Sequence, residues 1–421
     1  MSGICSIALW HAFVIMLGSM INGNVGIYTS PTADDIRIKH GISLTGADFR
    51  WSFYGSIAFL AAALGPFATK FLLNKFQGKR KNTMFVIACF SAVSWAFNCV
   101  TKVNIYAGWA SRAFLGIAIG SYSSICAMYL VELAPEGTSG FFGSLNQIGI
   151  VIGQGLWSFL GPFIDYMGFN YFGIAVSVLQ AVLIWFIPES PDAGVGQDEE
   201  APKVSVFQKK YVKNLMIGIV MMFMQQFCGI NGILTNLSDI FKDAGLDLNP
   251  NYQSGISILS QFVAVFIGSM LMDKLGRKVV WLLSSGICCA GCLIMALNEK
   301  FHWSVVLPLI CIFVYQLGFG LGLGPIPWFI VSELFEADVR PAANTVCVVS
   351  NWVFAFVIVM VFPEMKESMK MFGSMIFFFI VCVLSILFGI FVVKEPSKEV
   401  SEDAISEQDN DQSSDSKPTS L

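Results

Sequence analysis

The number of long apolar runs sets the first limit on what this chain can become. Roughly twelve stretches are candidates to cross a bilayer: 4–28, 50–73, 83–100, 105–131, 141–163, 171–187, 212–240, 254–272, 279–297, 304–331, 341–362 and 372–393. A spanning helix needs about 20 mostly apolar residues. Inside hydrocarbon every backbone polar group must be bonded within its own segment, so such runs form helices. Charge content agrees: 13% of the 421 residues are charged, against about 25% in a soluble domain. The expected class is an all-α membrane protein of twelve transmembrane helices.

The runs fall into two similar sets. LLNKFQGKRK (72–81) follows the second run and MLMDKLGRKV (270–279) the eighth. VELAPEGTSG (131–140) follows the fourth and SELFEADVRP (332–341) the tenth. IPESP (187–191) and KEPSK (394–398) follow the sixth and the twelfth. A duplicated six-plus-six chain suits a transporter with its site between the repeats. The expected organisation is a six-helix half over 1–190, a polar linker over 191–211, a second half over 212–394 and an acidic, Ser-rich, disordered tail over 395–421. With the N-terminus inside, cytoplasmic segments hold 15 Lys and Arg and outside segments 8, while Lys70 and Arg112 lie within spans. This bias places both termini in the cytoplasm. The first apolar run lacks a basic flank and reads as a retained helix rather than a signal peptide.

Several function classes lose support. Net charge is −4 with no long basic block, so nucleic acid is not an expected partner. The eleven cysteines are scattered through apolar segments, and the close group Cys288, Cys289 and Cys292 reads as core packing rather than a metal site. His11, His40 and His302 are far apart and give no local metal-ligand pattern. Neither a phosphate loop nor a Ser–His–Asp order is present, so no enzyme, metal or cofactor is expected.

GPIPWFIVSELFEADVRPAA (324–343) and QQFCGIN (225–231) carry the strongest resemblance, with DKLGRK (273–278), PESP (188–191), GSLNQIGIVIGQ (143–154) and SRAFLGIAIG (111–120) beside them. The chain resembles the sugar porter family of the major facilitator superfamily, especially the facilitative glucose transporters. The resemblance runs from span one to span twelve and implies the major facilitator fold. By it, Gln147, Gln225, Gln226, Asn231, Gln261 and Trp328 occupy sugar-contacting positions. The chemistry is independently sensible. A carboxamide offers two donors and an acceptor without the charge that is costly at mid-membrane. An aromatic ring suits the apolar face of a pyranose. At 100° per residue Gln225, Gln226 and Asn231 cannot share one face, so a helix break is expected near Gly229 and Gly232. For Asn22, Asn98 and Gln180, the better reading is a helix–helix hydrogen bond.

Pro325 and Pro327 remove backbone donors and mark a bending point in span ten. Glu132, Glu189, Glu333, Asp273, Arg277 and Arg340 are expected to form a cytoplasmic ionic latch when the halves close on the inside. The chain departs from the family pattern at Ser139, around Asn74 and at Asp192, which thins that latch in the first half. Gln261 stands where the glucose transporters usually have Asn. Thr235 and Asn236 replace two aromatics, and Ala355 replaces an Asn, so the lid is less aromatic. Proton-coupled members pair an Asp in span one with the Arg of span four. Here Arg112 is present, but Asn24 takes the acidic position. Facilitated diffusion of a hexose, glucose first, is the expected function, by a monomer in the plasma membrane. A proton-coupled sugar or polyol symporter and a non-transporting sugar sensor are the alternatives.

Overall fold

The computed structural model describes residues 2–44, 46–135, 138–191, 193, 205–335 and 339–393. Most of the expected linker and the whole of 395–421 lie outside the described residues, as do the side chains of Asp273 and Glu333. Among the described residues the chain is helical throughout, without strands.

Among the described residues, eleven helices are long and apolar enough to cross a membrane. Ser139–Leu160, span five, has comparable length, but Asn146, Gln147 and Gln154 dilute its apolarity. Spans two, four, six and eight each start behind an Asp or Asn cap on the face opposite the termini. Asp48, Asn104, Asp165 and Asn249 accept from the backbone N–H of Arg50, Tyr106, Gly168 and Asn251. Each cap satisfies a donor the first turn would otherwise leave open. Short helices follow spans one and seven on that far face, Thr29–Lys39 and the amphipathic Leu237–Ala244.

Close crossings hold the halves together internally. A methyl on Gly120 would lie 2.0 Å from the Ala62 carbonyl oxygen, and one on Gly116 2.1 Å from that of Ala58, so spans two and four touch through backbone. The repeat persists at the level of single bonds. Ser91 and Ser177 join spans three and six at 2.9 Å, and Ser285 and Ser385 join spans nine and twelve at 2.9 Å. Between halves, span two packs on span eleven and span five on span eight. The helix–helix reading holds for Asn98, which donates to Asn170 (2.9 Å), and for Gln180, which accepts from Tyr122 (2.6 Å).

Two spans are interrupted. Span seven runs Lys209–Phe227, turns at Gly229 with φ +108°, and resumes as Ile230–Thr235. This is the break the carboxamide spacing required. A side chain at Gly229 would meet both the left-handed backbone and the Phe378 ring, 2.6 Å from an added methyl. Gly229→Ala is therefore expected to destabilise the fold by at least about 1–2 kcal/mol. Thermal unfolding of the purified protein checks this; an unchanged midpoint would show that the turn tolerates a Cβ. Span ten runs Leu307–Gly318, widens to a π-turn at Phe319–Leu323, and restarts as Ile326–Glu333.

Candidate functional site

A cavity of about 610 Å³ lies between the halves. Gln147, Gln225, Gln226, Asn231, Gln261 and Trp328 all line it. So do Glu132 at the end of span four, Met272 near the end of span eight and Arg340 at the start of span eleven. The cavity therefore runs from mid-membrane toward the face that carries the termini.

The second-half carboxamides form a chain that points one way. Asn231 donates to Gln226 Oε1 at 2.6 Å, and Gln226 Nε2 donates to Asn351 Oδ1 at 3.0 Å. Asn351 Nδ2 donates to Gln225 Oε1 at 2.6 Å. Gln225 Nε2 then donates to the carbonyls of Leu323 (3.0 Å) and Gly324 (2.6 Å). Those two carbonyls are available because span ten is broken. In an unbroken helix Leu323 would receive the N–H of residue 327, which is Pro327 and has none. Gly324 would receive that of Trp328, which bonds Pro325 O at 3.2 Å instead. Gln225 reaches the cavity wall, but both its donors are taken by span ten.

Among the lining residues that sequence reasoning missed are Gln154, Asn351 and Trp352. Gln154 lies two turns after Gln147 on span five, a spacing of seven that puts both on one face. Asn351 and Trp352 come from span eleven, where nothing but a lone carboxamide in an apolar run marks them. Gln154 Oε1, Gln261 Oε1 and Trp352 Nε1 are buried and have no hydrogen-bond partner. Asn22, read as a helix–helix contact, also lines the cavity.

The described residues of the expected latch are seen here with the termini face open, where a latch between halves is not made. Arg80, which the sequence reading did not single out, pairs with Glu132 at 2.9 Å within the first half. Glu189 Oε1 accepts from the backbone N–H of Arg80 (2.8 Å) and Lys81 (3.1 Å), at the start of span three. Arg340 donates to Phe335 O at 3.3 Å, within the second half. With the termini face open, these groups are held inside their own halves. Besides the packing of spans two on eleven and five on eight, polar contacts join the halves on the far face. Arg37 pairs with Asp239 (3.1 Å), and Lys242 with Asp34 (2.8 Å). Thr29 donates to Thr235 O (3.1 Å), and Ser30 bonds Ser238 (2.9 Å). Thr235, expected as a weakened lid position, is thus part of a polar seam.

Arg112 is fully buried on span four. It donates to Val25 O from both terminal nitrogens (3.2 Å each) and to Tyr54 O (3.4 Å), and lies 5.2 Å from the Tyr28 ring centroid. All of these partners are neutral. Asn24, with its amide nitrogen turned toward them, donates to the carbonyls of Met20 (3.0 Å) and Gly153 (2.8 Å).

Two repeated six-helix halves around a cavity lined with neutral amides define a secondary transporter architecture. The family model described as "Sugar (and other) transporter" matches residues 6–206 and 193–405. The chain belongs to this sugar transporter family, whose members are transporters and not enzymes. It is 29% identical to the facilitated trehalose transporter Tret1 of Aedes aegypti over 93% of this chain. The chain spans 54% of that relative's length. It is 27% identical to Tret1 of Bombyx mori, over 92% of this chain and 84% of the relative. It is also 29% identical to sugar transporter ERD6-like 16 of Arabidopsis thaliana, over 82% of this chain and 79% of the relative. A crystal structure of a D-xylose–proton symporter shares the fold, with TM-score 0.79 and 22% identity, covering 92% of this chain and 98% of that one.

Proposed function

We propose that the chain moves a neutral sugar across the plasma membrane by facilitated diffusion, through alternating access, as a monomer. The face bearing the termini is the cytoplasmic one, on the excess of Lys and Arg there, so the structure is open to the cytoplasm. One observation carries the reading. Carboxamides from both halves line the cavity among apolar side chains, and Gln154 Oε1, Gln261 Oε1 and Trp352 Nε1 have no partner among the described residues. Among the described residues the charged ones in the lining are Glu132 and Arg340, at the cytoplasmic mouth. A ligand dense in hydroxyls and free of charge matches that set, because hydroxyls both donate and accept. A hexose, glucose first, is the leading substrate. The cavity falls within the size range of small-molecule sites and holds more than one sugar ring. This favours a disaccharide as the second reading, in line with the trehalose transporters among its relatives.

The neutral surroundings of Arg112 support uniport, since Asn24 cannot release a proton. Uptake of labelled glucose, trehalose and xylose in a host lacking its own carriers tests both parts. The expected result is saturable uptake of glucose that equilibrates without exceeding the outside level, at any imposed pH gradient. Accumulation that collapses with a protonophore would overturn uniport, and trehalose uptake without glucose uptake would move the substrate to the disaccharide. No uptake of any sugar, with sugar binding retained, would favour a sensor.

A further inference from the structure

We propose that Asn351 is a positioning residue that couples occupancy of the cavity to the bend in span ten. The proposal rests on the sugar-site reading and goes beyond it. Asn351 is 2% exposed. Among the described residues it is the one side chain that bonds both Gln226 and Gln225, accepting from the first and donating to the second. On one side of it, Gln226 and Asn231 face the cavity. On the other, Gln225 holds the carbonyls that Pro327 and the displaced Trp328 N–H leave open.

The direction of the chain is what transmits the state. Each carboxamide accepts through oxygen from the one before and donates through nitrogen to the one after. Reversing one would set oxygen against oxygen at one neighbour and N–H against N–H at the other. The amides therefore turn together or not at all. A sugar hydroxyl that donates to Gln226 Oε1 competes with the Asn231 N–H, and one that accepts from Gln226 competes with Asn351 Oδ1. Either exchange alters the bond that fixes Gln225 on span ten. Straightening or further bending of that span changes the distance between Gly324 O and Gln225, so the influence runs both ways. Trp328 sits four residues after Gly324 and lines the same cavity, so the bend also moves an aromatic wall of the site.

Asn351→Asp tests this at nearly constant volume. The carboxylate still accepts from Gln226 but cannot donate to Gln225, so the chain is cut at one bond. The expected result is a maximal uptake rate lowered about tenfold or more, with sugar binding, read by tryptophan fluorescence of the purified protein, changed by less than about threefold. Gln225→Leu removes the next member and is expected to give the same split. The double variant is expected to be no worse than the more severe single one, because both cut a single chain. Full additivity of the two losses would overturn the proposal, as would binding lost in step with rate or a rate left unchanged. A structural defect would show as a lowered unfolding midpoint in Asn351→Asp, and the Gln225→Leu arm then decides. Failure of the sugar-site reading is separable: it would show as wild-type protein that binds no sugar.

Discussion

Replacing Gln226 by leucine is expected to abolish most sugar uptake, lowering uptake at limiting sugar by about 10- to 100-fold. Gln226 bridges Asn231 and Asn351 and is 4% exposed. Leucine has similar volume but leaves Asn351 Oδ1 without its donor in a buried place. An unsatisfied buried polar group costs about 1–3 kcal/mol, and here it adds to any bond lost to the sugar itself. The loss is expected in apparent affinity, with a rate loss beside it because the same carboxamide chain is cut, whereas Asn351→Asp is expected to lose rate alone. Concentration dependence of uptake in vesicles separates the two. Near-normal affinity and rate in Gln226→Leu would remove Gln226 from the site, and with it the carboxamide reading of the cavity.

The second large effect is expected at the far-face seam. Arg37 is 4% exposed, bonds Asp239 and Leu44 O, and lies 5.0 Å from the Trp51 ring centroid. Removing one member of a buried pair leaves the other uncompensated, at about 3–5 kcal/mol for full burial. The Asp239 side chain is 17% exposed, which brings the figure to the order of 2 kcal/mol, or about thirtyfold in an equilibrium. Opening the far face hydrates Asp239, so Arg37→Ala is expected to shift the population toward the far-face-open form. Spin labels at Leu44 and Leu248, on opposite halves, are expected to report longer separations in the variant. An unchanged distance distribution would mean that the ion pair does not hold the seam.

Acid is expected to act in the opposite sense. Burial pushes the Asp239 carboxyl above its ordinary value, with Asp34 and Asp243 adding to the rise and Arg37 and Lys366 opposing it. The closed seam therefore binds that proton more tightly than the hydrated open one. Lowering pH through the raised value toward the ordinary carboxylate range favours closure, and the preference is absent well above that window. Without Arg37 the rise is larger, so acid is expected to restore part of the closure lost in Arg37→Ala. Labels that separate further on acidification would contradict this sign.

The cavity was readable in sequence because its residues sit in motifs. Gln147, Gln225, Gln226, Asn231, Gln261 and Trp328 all reach it, and the break at Gly229 follows from the spacing of three carboxamides on one helix. What each residue bonds to was harder to read. Gln225 differs from Gln226 because Pro327 lies four residues after Leu323, a relation between two spans that neither shows alone. Asn351 joins a partner 126 positions away, and Arg37 one 202 positions away. Local pattern does not select such pairs. The ionic latch is a different case, because it belongs to a form with the termini face closed. Charged groups at the span ends on the termini face have different partners when the halves separate there, and sequence does not say which form is populated.

Span five has a bearing on how the chain is assembled. Its apolarity is diluted by residues that serve the cavity, so lipid is a poor environment for it. It is sheltered by span one from its own half, through Ser19 and Asn146 at 2.7 Å, and by span eight from the other. During synthesis the first six helices are complete before span eight exists. Over that interval Gln147 and Gln154 have no second wall, and the half-made protein presents a polar stripe within the membrane until the later helices cover it. The groups that receive the cargo are thus also the ones that leave the nascent first half dependent on the second.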